Sequence, residues 1–545
     1  MRLPWLLPAL LLASTATAFA QQHGASPAAR VTRALDPRVL DAHLRFLSDD
    51  ALEGRATATR GGETAAKYIA AQFERLGLEP AGDSGTYFQR VPIISLAPHP
   101  TLGVAGSPPL AWKNDYVLWS MRNDSLVTLR GNAVFAGYGI VAPEAGWDDY
   151  AGVDAKGKIV IVLVNDPGLQ DSTIFRGKIL TYYGRWTYKI EEAQRQGAAG
   201  ILLIHTTESA TYPWTTVQSG WTGPQVRLET APGSLMVAGW LHHDAAARLI
   251  QQSGQDLDTL TAAAARQGFK GVPLRLSLEA SVRSDVRRSS TANVLGRLPG
   301  RGPHADEAVL IGGHYDHFGI GAPVHGDSIY NGALDNASGT AGVLSVAEAF
   351  VRSGVRPGRA LIFVGFAAEE SGLIGSQALA ERPPLTLGRI AAMLNMDELN
   401  LFGRTRDIAP LGLDQSTLAA DFDRAAAAEG LRVVESRQSL LNGSFFRSDH
   451  FSLARAGVPA LSVQLEGATD YVGKPAGWGE EEQKKYVAER YHQPSDEILP
   501  WYNYDGAMQQ LRVIVRTALS VADSRTMPSW TRTSEFRQAG EARKR

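Results

Sequence analysis

The sequence predicts an α/β fold, a mostly parallel, mixed sheet flanked by helices and interrupted by a second, β-rich unit. Three observations carry that expectation. The chain has 545 residues, 44% of them hydrophobic, which is more than one ordinary domain holds. From Thr291 onward, short apolar runs alternate with helical patterns, as strands covered by helices on both faces do. Between about 131 and 285 that beat gives way to β-like runs, turn residues and tryptophans.

The elements follow in chain order. Arg2, the apolar run 3–13 and the small-residue stretch ending Ala18-Phe19-Ala20 describe a secretory signal peptide over 1–20. The apolar run is too short to span a membrane. The reading is an exported chain, periplasmic or secreted, that begins near Gln21. Residues 21–36 are small and polar and are expected to form a flexible leader.

Helical patterns cover 39–47 and 63–76; in the second, Ala66, Ile69, Ala70, Phe73 and Leu76 share a face and Gly77 stops the helix. A turn at 82–85 precedes a strand at 87–93. In the 131–285 insert, 132–141, 158–164 and 201–204 read as strands, with a helix over 188–196. The later part predicts strands at 308–312, 360–366, 390–394 and 460–463. Its helix over 338–353 places Val343, Val346, Ala347 and Phe350 on one face. The tail 526–545, with Arg532, Arg537, Arg543, Lys544 and Arg545, is expected to be a solvated, frayed terminus. The expected organisation is therefore a split domain, 37–130 with 286–525, holding the insert 131–285.

Composition narrows the function. With 54 Lys and Arg against 56 Asp and Glu, the formal charge is -2, so no basic footprint suggests nucleic acid. The absence of cysteine excludes disulfides, thiolate zinc sites and a catalytic thiol. A metal would have to be held by His and carboxylates.

Polar residues cluster where the later strands end. His314-Tyr315-Asp316-His317 follows the first strand and Asp335-Asn336 precedes the helix. Glu369-Glu370 follows the second strand, Asn395-Met396-Asp397-Glu398 the third, and Tyr491-His492 lies late in the chain. The carboxyl ends of strands are where sheets of this kind place their sites. Two imidazoles and three carboxylates suit Zn²⁺ or a similar borderline metal. A carboxylate shared by two cations holds them about 3.5–4 Å apart. Adjacent glutamates on extended chain point in different directions, so one can face metal and the other water. Taken singly, each residue has an ordinary reading as a cap or solvated loop; the joint occurrence of all five motifs, in order, outweighs it. His317, His325 and His450 are read as ordinary histidines, since none is needed to complete a five-residue site.

The ordered set GGHYDH, ALDNASG, FAAEESGLIGS, LNMDE and YHQPSDE resembles the co-catalytic zinc exopeptidases of the leucyl aminopeptidase, aminopeptidase Y and glutamate carboxypeptidase type. The likeness covers about 37–130 and 286–520. The segment beginning VFAGYGIVAPEAGWDDY resembles a protease-associated (PA) domain. Carried over by position, the resemblance implies two zinc ions, one on His314, Asp335 and Asp397 and one on Asp335, Glu370 and His492, with Asp335 bridging. It implies Glu369 as general base, Asp316 as the acid orienting a metal-bound imidazole, and Tyr491 as an aid to the oxyanion.

The activity so implied is hydrolysis of N-terminal residues from peptides by a zinc-activated water, with Glu398 near the substrate amine. Alternatives remain open. A carboxypeptidase on this scaffold would need a basic pocket, for which Arg404 and Arg447 are available. A glutaminyl cyclase or a non-catalytic receptor-like binding protein shares the fold. The expected partner is a peptide or protein substrate, with no nucleic acid and no membrane span. Side-chain preference, metal identity and oligomeric state are not legible. An insert at a loop of the sheet is expected to act as a lid over the cleft.

Overall fold

The computed structural model describes residues 24, 26–230 and 233–544; the signal-peptide reading over 1–20 lies outside them. The molecule is α/β, as the alternation of apolar runs and helical patterns predicts. A 13-stranded sheet runs through the described residues. Its longer strands are β1 (Phe88–Val104), β2 (Tyr116–Ser120), β3 (Leu126–Phe135), β4 (Ile159–Leu163) and β5 (Gly200–His205). Next come β6 (Gln225–Leu228), β7 (Val237–His242) and β8 (Val272–Leu298), and then β9 (Ala308–His314). A separate hairpin, β10 (Gly319–Val324) and β11 (Asp327–Tyr330), precedes β12 (Ala360–Phe366), β13 (Ile390–Met396) and β14 (Ala460–Val463).

The spatial order β14-β13-β9-β12-β8-β3-β4-β5-β7-β2 divides the sheet into two units joined at β8. In the first, β14, β13, β9 and β12 are parallel neighbours, and β8 closes the edge antiparallel to β12. Every residue of β9, β12 and β13 is buried, because helices pack on both faces. Apolar residues drawn from both sides of these strands, including Val309, Ile311, Phe363 and Leu394 on one face and Leu310, Ile362, Val364 and Met393 on the other, belong to separate cores. The helix Gly339–Ser353 is buried over most of its length, and Asp505–Asp523 contributes Leu511, Ile514 and Val515 to the same core.

The second unit also alternates strands and helices. β3, β4, β5 and β7 run parallel, β2 caps the edge antiparallel to β7, and the helix Trp186–Arg195 connects β4 to β5. The two units share an antiparallel ribbon in which β1 and β8 pair continuously from Phe88↔Val294 to Val104↔Leu278. At one end β8 pairs with β12, and at the other with β3.

Three boundaries differ from the sequence reading. The insert does not begin at 131 or stop at 285: β2, at 116–120, already belongs to it, and its last strand runs unbroken to 298. The polar residues over 287–290 lie in the exposed stretch of the ribbon, where no core requires apolar side chains. The leader 21–36 is not flexible throughout, because Pro27–Ala34 is a helix capped by the Ser26 hydroxyl. Its Val31, with the following Leu35, is buried in the first unit's core. The tail is not frayed either. Trp530 and Phe536 are buried, and Arg543 Nη1 donates to the carbonyls of Leu387 at 2.8 Å and Ile390 at 2.5 Å.

Candidate metal centre

Five loops converge at the carboxyl ends of β9, β12 and β13. β9 ends in His314, which is 1% exposed. Its Nε2 lies 3.3 Å from Asp335 Oδ1 and 3.3 Å from Asp397 Oδ1. Its Nδ1 lies 3.2 Å from the Asp316 carbonyl oxygen; a carbonyl only accepts, so Nδ1 carries a proton and Nε2 is the nitrogen turned towards the two carboxylates.

Asp335 sits in the irregular turn Ala333–Ser338 ahead of the helix Gly339–Ser353. Its carboxylate is divided: while Oδ1 faces His314, Oδ2 lies 3.2 Å from His492 Nε2. That second imidazole lies 3.5 Å from Glu370 Oε2. Ligand atoms of His314, Asp335 and Glu370 fall within 4.8 Å of one another, as do those of His314, Glu369 and Asp397. The structure thus brings together all five residues read as metal ligands, with Glu369 among them.

The loops are held from behind. Ser448 Oγ donates to Asp397 Oδ2 at 2.6 Å, which leaves buried Oδ1 without a hydrogen-bond partner on the side facing His314. Asp496 is fully buried; its carboxylate accepts the backbone N–H groups of Leu334 and Asp335 at 3.1 and 3.0 Å. Arg55, from the early LEGR segment, is also fully buried. It donates to the carbonyls of Leu47, Tyr315, Asn331 and Gly332, tying the N-terminal segment to two of the loops. Gly332 is required where it stands, at φ +54, because a Cβ there would lie 2.2 Å from the Asp335 carbonyl oxygen and 2.5 Å from the His317 ring.

Electrostatics follow from burial and crowding. Burial, followed by Asp397, Asp449 and Asp335, pushes Glu369 well above the usual carboxylate range. Burial, Asp335 and Glu369 do the same to Glu370. Asp335 goes the other way: against burial, the bonds from His314 and His492 hold it well below its ordinary value. Despite burial, Asp397 and Glu369 push His314 upward. Such a gathering of acids, with an orphaned buried oxygen on Asp397 and an N/O donor set, fits a divalent cation of zinc's type.

Two assignments change in detail. The Asp316 carboxylate does not hydrogen-bond the His314 imidazole, being 3.9 Å from Nδ1. Its oxygens instead accept the Glu369 N–H at 3.0 Å and the Thr57 hydroxyl at 3.2 Å, so the carboxylate positions Glu369 while the backbone carbonyl orients the ring. His317 is not an ordinary histidine. It is 2% exposed, with Nδ1 2.6 Å from Glu370 Oε1. Its place three residues after His314 in the same loop was the available signal. His325 is exposed in the β10–β11 turn, and His450 is buried against Phe445, both as expected. Asp496 was visible in the YHQPSDE motif, but its partners lie far away in sequence.

Glu398 is pushed well above its ordinary range by burial, Asp335 and Asp397. Tyr491 is 37% exposed, and its ring stacks on His492 with centroids 3.7 Å apart.

Residues 293–515 match the model of peptidase family M28. The matched segment contains all five convergent loops. The leucine aminopeptidase 1 of Metarhizium robertsii is 28% identical over 188 residues, covering 33% of this chain and 45% of that protein. The leupeptin-inactivating enzyme 1 of Streptomyces exfoliatus is 31% identical over 190 residues, covering 34% and 39%. The chain spans about half the length of the curated relatives it matches, or less. Among solved structures, an aminopeptidase from Aneurinibacillus sp. strain AM-1 aligns over 91% of this chain and 96% of its own, at 20% identity and a TM-score of 0.45.

Proposed function

We propose that the protein is an exported, zinc-dependent aminopeptidase that removes N-terminal residues from peptides. The observation that carries this reading is the divided carboxylate of Asp335. One oxygen faces His314 and the other His492, while Asp397 and Glu370 each close one side. In this reading His314, Asp335 and Asp397 hold one zinc ion and Asp335, Glu370 and His492 the other. The names of the leucine aminopeptidase relatives support the choice of activity.

Bound zinc supplies Lewis acidity towards a scissile carbonyl and lowers the pKa of water towards about 7. The chain's own residues do the rest. Glu369, fixed at its N–H by Asp316, accepts the proton of the attacking water and returns it to the leaving amine. Glu398 receives the substrate's N-terminal ammonium. Tyr491, ahead of His492 on the open side, donates its hydroxyl to the developing oxyanion. The second unit is read as a lid over the cleft, tied to the first by Arg176–Asp414 at 2.7 Å and Glu191–Arg455. Among the described residues no helix is long and apolar enough to cross a membrane; export predicts a mature N-terminus near Gln21.

The deciding experiment is E369Q assayed on aminoacyl anilides. Turnover should fall 10²–10⁴-fold, the ordinary worth of a general base, while the zinc content stays at two per chain. Undiminished hydrolysis would refute the base assignment. Wild-type turnover confined to N-blocked peptides would replace the aminopeptidase with a carboxypeptidase.

A further inference from the structure

We infer that His317 is a positioning residue for the second metal position: its imidazole holds Glu370 in the orientation that position needs. The inference rests on the zinc reading above and concerns residues that reading leaves without a role. Among the described residues, the His317 ring is the hydrogen-bond partner found for the Glu370 carboxylate. The bond engages Oε1 and leaves Oε2 turned towards His492, at 3.5 Å from Nε2.

The ring cannot easily leave this position. Its backbone N–H donates to the Arg55 carbonyl at 3.4 Å, and Phe318 and His492 flank it edge-on with centroids 5.0 and 5.9 Å away. The missing Cβ of Gly332 makes the space the ring occupies. Nδ1 is the ring nitrogen within bonding distance of Oε1, and with its proton there it donates to that oxygen, while Nε2 has no protein partner. The arrangement repeats around the cluster. Ser448 holds Asp397 from outside, Asp496 holds the Asp335 turn, and His317 holds Glu370, each leaving the inward oxygen free. Partners of this kind set ligand orientation, and their loss costs about 10–100-fold in metal affinity.

Calorimetric titration of the metal-free, full-length protein with zinc tests this. Wild type should take up two ions. H317L, which removes the donor, should bind one ion as wild type does and the other about 10–100-fold more weakly. H317N, whose amide N–H falls near the Nδ1 position, should recover most of the loss. If H317L fails to fold, H317Q, with its amide near the Nε2 position and out of reach of Glu370, supplies the same contrast. Unchanged affinity for both ions in the donor-free variant would overturn the assignment, as would equal weakening of both. Wild type binding no zinc would overturn the underlying reading as well, an outcome distinct from either.

Discussion

Asp496 shows how much of the site depends on side chains that touch no substrate. Its carboxylate is the partner of two backbone N–H groups in the turn that carries Asp335, and its own carbonyl accepts the Ala333 N–H at 2.9 Å. D496A would leave those buried donors unsatisfied, at about 1–3 kcal/mol each. A loss of about 2–6 kcal/mol in denaturant unfolding, together with weakened zinc binding, is the expected result. His43 makes a different prediction. It is 6% exposed, and burial lowers it to about 4 from an ordinary 6.5. The unfolded chain then binds the extra proton first. Stability is therefore full above about 6.5 and is lost as pH falls from there to about 4, by about 3 kcal/mol. Urea melts across that range should show the slope, and H43F should flatten it. At this scale His314, Glu370 and Asp397 were legible because each follows an apolar run, and Asp335 and His492 through the ordered motifs they stand in. Asp496, Ser448 and His317 were not, because their roles exist only between loops distant in sequence, and no periodicity encodes such a pairing.

Among the elements, the strands β9, β12, β13 and β14 were legible almost to the residue. Burial on both faces forces unbroken apolar runs, which turn residues bound clearly. The ribbon of β1 and β8 hid for the opposite reason. Between the two units β8 is exposed over 287–290 and carries Arg287, Arg288, Ser289 and Ser290 there, so the alternation that marks a strand is lost. The N-terminal helix Pro27–Ala34 was hidden by its small residues, although Ser26 and Pro27 are a cap and a first-turn proline. Only Val31 and the following Leu35 bury deeply there, and Arg30 Nη2 donates to the Ser353 carbonyl at 2.6 Å. Removing residues 26–35 should cost about 3–6 kcal/mol, from two apolar side chains at about 1.5–3 each. Thermal melting of the truncated chain would show it, and an unchanged melting temperature would mean that the helix does not stay docked.

For the molecule as a whole, the two units need not behave as two bodies, because one apolar cluster takes Phe135 and Ile159 from the second and Leu310 and Met393 from the first. They share β8 through backbone pairing, the Arg176–Asp414 and Glu191–Arg455 ion pairs cross between them, and Glu535 in the tail accepts the Tyr182 N–H at 2.7 Å. We expect one calorimetric transition, with zinc removal shifting it downward because the ion binds only the folded cluster. Two resolved transitions, with only one sensitive to chelator, would show that the ribbon bends without transmitting unfolding.

The ribbon also sets a counting rule for anyone who would exchange the second unit for another. Along β8 the side chains alternate between faces, and the same strand must satisfy β3 at its start and β12 at its end. A graft that lengthens or shortens the ribbon by an even number of residues on both strands keeps each apolar face inward. An odd change moves Val294 to the opposite, also buried, face and presents its polar neighbour Asn293 to the first unit's core. Exchange between relatives is therefore constrained by parity as well as by contacts.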